Sequence, residues 1–417
     1  SANYRWSSPL GSNVDGANIG TQLRFNSNVN LNLVAIMETF YKPTLKKGSS
    51  TPRRRGQGNT EQVEPEKETG TSENRVLKSV HGLLKKVDPI NLTFTESLTR
   101  TGNGIQGEVP IGYKFGWLPD HGLNHAENVG SNVGNWDKTL DFAIRSGVKP
   151  IKNLNVTLSY AQSLSHSSSG AGIDQWNITR DYLGYGKDLT DGFPFSGWSV
   201  KINGLEKLPF IKKYVRSLSF DHAYSGKETR AWQFSDTTIV ADPSFWKLQD
   251  FIKDNESDER SSRINTNFAP LAGFTFSFKK GISLNMRYNQ SSSLEQRDNG
   301  QTLRMESSFN AGANYSHKGG LTIPLPMMDD FHIDNTMNFN FNFDSNASGS
   351  KGRSDASEKF TSQDKNSSWK AGLRVSYSFT SRVSGGLVYE YRESDTSHTG
   401  RKIDRDFGFD VNIAISG

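Results

Sequence analysis

Several groups of residues have types and spacings that can do chemistry. Gly102-Asn103-Gly104-Ile105-Gln106-Gly107 has the glycine spacing of a dinucleotide loop, where the backbone approaches a pyrophosphate at the next helix N-terminus. The adjoining residues, Glu108 to Tyr113, read as extended, so a plain loop is preferred. Asp344, Asn346, Ser348, Gly349 and Asp355 fall at the spacing of a calcium loop, which gathers oxygen ligands and closes with a bidentate Glu. Here the closing residue is Asp and the flanks read as strands, so a polar hairpin is expected. His121 and His125 would share a face only on a helix, and Pro119, Gly122 and Asn124 argue against one. Ser165, His166 and Ser167 alternate in direction on a strand and cannot form a relay by themselves. No catalytic residue, metal site or cofactor is expected, and the chain does not read as an enzyme.

The elements that would hold such residues are strands. Leu23, Phe25, Val29, Leu31 and Leu33 stand among Arg24, Asn26, Asn28, Asn30 and Asn32. Leu154, Val156, Leu158 and Tyr160 alternate with Asn155, Thr157 and Ser159. The same period of two runs through Phe274 to Phe278, Leu284 to Tyr288, Met337 to Phe343, Trp369 to Phe379 and Phe407 to Ile415. Successive strand residues point to opposite sheet faces, so each segment has one apolar and one wet face.

Composition agrees with such an arrangement. Only 33 % of the 417 residues are hydrophobic, yet 11 % are aromatic, and there is no Cys. That balance disfavours a large helical core and also disorder. The net charge of +5 and the isolated basic run at Lys46, Lys47 and Arg53 to Arg55 give no footprint for nucleic acid. The longest apolar run, Leu33 to Met37, is far too short for a membrane-spanning helix. Ser1 to Trp6 lacks a leader pattern and reads as mid-strand, so the chain is expected to be mature or part of something longer.

A soluble sandwich and a transmembrane barrel both use such strands. Strand length, the Asn and Arg on the wet face, and short turns mixed with long connections favour the barrel. The expected fold is therefore all-β: an antiparallel transmembrane β-barrel segment across residues 1–417, about 14 strands, part of a larger barrel. Long polar connections are expected at 42–89, 118–139, 163–197, 226–266 and 344–368. Residues 42–89 read as a charged insertion with a short helix from Val76 to Leu84. Residues 226–266 read as a long loop with a second helix, capped at Asp242-Pro243 and carrying Phe245, Trp246, Leu248, Phe251 and Ile252 on one side.

Leu10 to Asn13 leading into Thr21 to Leu33, Phe40 to Pro43, Leu208 to Ile211, Leu218 to Ser225, Phe268 to Gly273, Glu306 with Phe309 to Tyr315, Leu321 to Pro326 and the strands from Trp369 to Ile415 succeed one another in a recognisable order. Together they resemble the C-terminal region of the SprA/Sov family, the large outer-membrane barrels of the type IX secretion translocon. The resemblance implies a pore for folded cargo bearing a C-terminal secretion domain, in the outer membrane of a Gram-negative, Bacteroidota-like bacterium, with gliding motility as a linked process. It implies as partners membrane lipid, the rest of the same barrel chain, a PorV-like barrel and a plug protein, and no nucleic acid. The 42–75 stretch matches nothing in that family.

Read as a barrel wall, the apolar positions Leu154, Val156, Leu158, Phe339, Phe341, Phe343, Val375, Tyr377, Val411 and Ile413 are expected to face lipid. Asn155, Thr157, Ser159, Asn338, Asn340, Asn342 and Arg374 are expected to face the lumen. A self-contained porin or small-solute transporter is the first alternative, and a surface adhesin or glycan-binding β-sandwich the second.

Overall fold

The computed structural model describes residues 2–7, 16–40, 75–115, 118, 122–129, 133–169, 173–186, 188–189, 191–235, 248–297, 300–319, 321–323, 331–333, 336–354, 359–379 and 382–413. In chain order its elements are β1 (Ala2–Ser7), β2 (Ala17–Leu31), α1 (Leu33–Phe40), α2 (Arg75–Leu84), β3 (Ile90–Ile105), α3 (Ile111–Lys114), β4 (Gly134–Val148), β5 (Leu154–Ser169) and β6 (Ile173–Gly184). Next come β7 (Gly192–Pro194), β8 (Gly197–Asn203), β9 (Val215–Ser235), α4 (Leu248–Asp254), β10 (Glu259–Phe278), β11 (Ile282–Arg297) and β12 (Gly300–His317). The last are β13 (Leu321–Ile323), β14 (Phe331–Ile333), β15 (Met337–Arg353), β16 (Thr361–Ser378), β17 (Val383–Thr396) and β18 (Gly400–Ile413).

A single 16-stranded antiparallel sheet contains every strand except the small β13–β14 ribbon. Its pairing path runs β1-β2-β3-β4-β5-β6-β9-β10-β11-β12-β15-β16-β17-β18. The all-β antiparallel expectation is borne out, and so is a path of about 14 strands. The sandwich alternative is not: its apolar faces need a second large sheet to cover them, and the described residues form only one.

One lane of the sheet is broken. The distal half of β5 pairs with β6, from Gln162↔Arg180 to Ser168↔Asp174, while its proximal half pairs with β8, from Leu154↔Ile202 to Ser159↔Gly197. β9 pairs with the same two strands on its own side. β6 and β8 are thus two pieces of one wall strand, and the chain leaves the wall between them as a hairpin closed by β7 on Tyr182 to Gly184.

The proximal end of the sheet is where Leu31, Ile90, Val148, Leu154, Phe278, Ile282 and Ile413 lie; the distal end holds Gly134, Ser169, Ser235, Arg297, Gly300 and Thr396. Short and long connections occur at both ends, so the two lengths are not segregated to opposite sides. The tight turn at Lys279–Gly281, with Gly281 at φ 82°, is proximal, and the 32–89 connection leaves from Leu31 and returns at Ile90 at the same end. The equally tight Arg297↔Gly300 turn is distal, as are Ser235 and Glu259, where the 236–258 connection begins and ends.

The strands are longer than the alternation indicated. Residues 226–235 and 259–266, expected in a loop, belong to β9 and β10. Residues 163–169 and 173–184 are strand, and so are 344–353 and 361–368. The physical reason is that β15 and β16 are polar on both faces in their distal halves, while on β6 and β9 the charges Arg180, Glu228 and Arg230 interrupt the apolar face, so the backbone ladder continues without an unbroken period of two in hydropathy. Leu33, grouped with the strand residues, instead opens α1, because the Asn32 side-chain oxygen accepts the Ala35 N–H at 3.1 Å and caps the helix. The 41–74 tract, Asp242, Pro243, Phe245 and Trp246 lie outside the described residues. α4 supplies the remaining three members of the expected helix face, Leu248, Phe251 and Ile252, all buried.

Candidate functional site

In an antiparallel pair, directly opposed residues put their side chains on the same face, so the register traces each face across the wall. Starting from Leu154, the chain of opposed pairs is Ile202, Phe220, Phe274, Met286, Ala311 and Phe343. It continues from Phe339 to Val375, Leu387 and Phe409, and from Tyr377 to Gly385 and Val411. Leu154, Val156, Leu158, Phe339, Phe341, Phe343, Val375, Tyr377, Val411 and Ile413 therefore share one face. Asn155, Thr157, Ser159, Asn338, Asn340, Asn342 and Arg374 all share the other.

The apolar face is a band rather than a whole surface. On β16 it runs from Trp369 to Tyr377 and on β15 from Met337 to Phe343, both at the proximal end. A stretch of seven to nine residues is about 20–30 Å of strand, close to the ~25 Å outward band of a membrane barrel. Distal to it the same face turns polar, with Ser345, Ala347, Lys351 and Arg353 on β15. Aromatic rings mark the boundary. Phe309, Phe343, Trp369 and Tyr391 form a chain with ring centroids 6.0, 6.1 and 4.8 Å apart. On the other side of β10, Trp198, Tyr224 and Phe268 continue it at 4.4 and 4.8 Å. Aromatic side chains favour a membrane–water boundary because one end is apolar and the other tolerates water.

The polar face is built from amides, hydroxyls and paired charges. Asn342 donates to Asn340 at 2.7 Å, Asn340 bonds Asn314 on β12, and Asn310 donates to Asp344 at 2.7 Å. Arg374 pairs with Asp410 at 3.0 Å and Lys370 with Glu390 at 2.6 Å. A cavity of about 460 Å³ opens on this side, lined from Asn267 on β10 to Thr396 on β17 by Asn, Ser and Thr, with Glu306 its one acid. Lining drawn from six neighbouring strands requires the sheet to bend toward this face. Uncharged short polar groups hold water and present little fixed charge.

His222 is a functional residue that sequence reasoning missed. β10 is bulged between Phe268 and Ala272, where its register against both neighbours shifts. That leaves the Leu271 carbonyl without a ladder partner inside the apolar band, and His222 Nδ1 donates to it at 2.7 Å. The tautomer is set by the network, since His222 Nε2 accepts from Trp198 Nε1 at 3.1 Å. The only sequence signal was a His within the Leu218 to Ser225 strand facing the Phe268 to Gly273 motif. His222→Ala should cost about 1–3 kcal/mol in unfolding free energy, the usual penalty for orphaning a buried acceptor. Denaturant unfolding of the variant checks this.

The other chemical candidates are not assembled. Asp344, Asn346, Ser348 and Gly349 lie on β15, paired on both sides, so they are strung along an extended strand and cannot converge on calcium. Asp355 is outside the described residues, as is His121. His125 contacts the Asn103 carbonyl at 2.7 Å and bridges Ile105 in extended conformation. Gly102 and Gly104 are within β3. The residues after them, expected to be extended, include one helical turn, α3, because Pro110 fixes its first corner and its carbonyl accepts from Tyr113 and Lys114. His166 stacks on Trp176 at 3.6 Å and serves packing under α4. Among the described residues no three His, Asp or Glu side chains are placed to hold a metal.

A buried charge network occupies the distal part of the banded face. Glu228 accepts from Arg180 Nε at 2.5 Å and Arg230 Nε at 2.8 Å, and Arg230 reaches Glu259 at 2.9 Å. Arg180 also donates to Gln249 of α4 at 3.1 Å. Beside it Leu164, Trp176, Ile178, Trp232 and Phe234 pack against Leu248, Phe251 and Ile252 of α4.

No family model matches the chain, and no curated protein matches it. Among solved structures it is similar to the translocator domain of autotransporter NalP from Neisseria meningitidis, at 11 % identity and a TM-score of 0.21. That likeness covers 82 % of this chain and 94 % of the other. A TM-score of this size carries no argument about function, which rests on the wall itself.

Proposed function

We propose that the chain is a wall segment of an outer-membrane, protein-conducting barrel, of the kind the SprA/Sov resemblance implies. The observation that carries this reading is the continuity of the two faces: the apolar band passes from β2 to β18 while the opposite face stays polar throughout. Lipid outside and water inside need that division. A protein secretion role is supported by the polar cavity, whose lining carries a single charged residue, and by the sheet edges. β1 and β18 do not pair with each other among the described residues. An unpaired backbone edge in hydrocarbon costs several kcal/mol per polar group, so further strands must meet them. In this reading those strands belong to the rest of the same barrel, and the host is a Bacteroidota-like bacterium. The PorV-like barrel, the plug and cargo with a C-terminal secretion domain are the partners. The chain needs no cofactor and performs no catalysis.

The porin alternative requires β1 and β18 to close on each other. Purified and refolded alone, the chain should need detergent to stay monodisperse and should give no uniform single-channel conductance in planar bilayers. Regular, discrete currents from the isolated chain would favour the porin, and monodispersity without detergent would remove the membrane reading altogether.

A further inference from the structure

The hairpin that interrupts the wall between β6 and β8 has no role in pairing the sheet, and its placement is specific. It leaves the lane at Gly184, where a Cβ would come within 2.9 Å of Ile264 Cγ2, on the banded face of β10. The Gly184 N–H donates to the Tyr224 hydroxyl at 3.2 Å, and the Tyr182 hydroxyl reaches the Leu189 carbonyl at 3.5 Å. The hairpin therefore lies on the outside of the wall, covering Tyr182 and the boundary residue Tyr224. Its own rings extend that boundary: Phe193 contacts Phe195 at 5.7 Å, and Phe195 contacts Trp198 at 6.2 Å. Tyr185, Phe193 and Phe195 are all exposed, Tyr185 at 71 %. The remainder of the described hairpin, with Asp188, Asp191 and Gly192, is polar or small, and Asp188 pairs at 2.8 Å with Arg353 at the distal end of β15.

Three large aromatic side chains left in water at this height are costly, whereas the headgroup region of a bilayer accommodates their amphipathic rings. A broken strand also lets rings stand out from the wall, which a continuous ladder cannot. We propose that this hairpin is an interfacial lipid anchor, seating Tyr185, Phe193 and Phe195 among the headgroups of the adjoining leaflet. The inference rests on the membrane reading of the apolar band and adds a fixed height to it.

The absence of Cys makes single-site labelling clean. The full-length protein carrying Tyr185→Cys, Phe193→Cys or Phe195→Cys takes an environment-sensitive fluorophore and enters phosphatidylcholine vesicles brominated either near the headgroup or deep in the acyl chain. Phe341→Cys and Asn340→Cys serve as band and polar-face references. The hairpin labels should be quenched about twofold more by shallow than by deep bromines, the Phe341 label should show the reverse, and the Asn340 label should respond to neither. Quenching at Phe341 with none at the three hairpin positions overturns the anchor and leaves the membrane reading standing. No quenching at Phe341 removes that reading and the anchor with it. Tyr185, at 71 % exposure the least packed of the three, loses least when replaced, so its label reports even where Phe193 or Phe195 variants fold poorly. A hairpin covered by a second copy would stay unquenched and crosslink between chains, which also overturns the anchor.

Discussion

Glu228→Ala is expected to destabilise the protein by about 3–5 kcal/mol, the largest single-residue effect outside the apolar band. The carboxylate is 1 % exposed and is shared by two guanidinium groups. Arg180 is itself buried and, among the described residues, has only Gln249 besides, so removal of Glu228 strands a desolvated charge. Arg230 keeps Glu259 and loses less. The cost arises from the orphaned cation more than from the pair, because desolvation of both ions nearly offsets their attraction. The double variant Arg180→Met with Glu228→Met should therefore recover most of the loss. Urea unfolding of the three proteins measures it, and a double variant as unstable as Glu228→Ala would show that the pair contributes net stability.

Phe341→Arg is expected to cost about 2–4 kcal/mol, while Asn340→Arg changes stability by less than about 1 kcal/mol. The two residues are neighbours on β15 and pair with the same two strands, β12 and β16, so backbone effects of the substitution are matched. They differ only in face. Phe341 opposes Ala313 and Leu373 within the band, whereas Asn340 opposes Asn314 and Arg374 among polar groups. An arginine at position 341 must leave hydrocarbon or snorkel to its edge; at 340 it enters a wet surface already carrying Arg374. Equal losses for the two variants would refute the division of faces.

How much of this was legible depends on where each strand sits relative to the band. Phe339, Phe341 and Phe343 announce themselves because one neighbouring medium is apolar and the other is water. Beyond the aromatic boundary that contrast ends, and Ser345 to Arg353 read as a loop although the ladder continues to Arg353. The calcium-like spacing from Asp344 onward was one product of that silence. β6 was hidden for a different reason: Arg180 occupies the banded face, and its partner Glu228 comes from β9, a strand far away in sequence. A sequence pattern records which residues alternate, not which charge they meet. The role of His222 was likewise invisible, since the carbonyl it satisfies is orphaned by a bulge on another strand. The helix face of α4 was partly readable from Leu248, Phe251 and Ile252, but not the Trp176 and Trp232 it covers.

The central claim is that one face of this wall meets lipid and the other water. Its most direct test is a cysteine scan along β15 in the naturally cysteine-free chain, with Cys placed singly from Asn338 to Phe343. The protein is held in lipid vesicles and exposed to a charged, water-soluble thiol reagent. Labelling is predicted to alternate, with fast reaction at 338, 340 and 342 and protection at 339, 341 and 343. Uniform labelling along the strand, or protection of the asparagine positions in place of the phenylalanines, would contradict it.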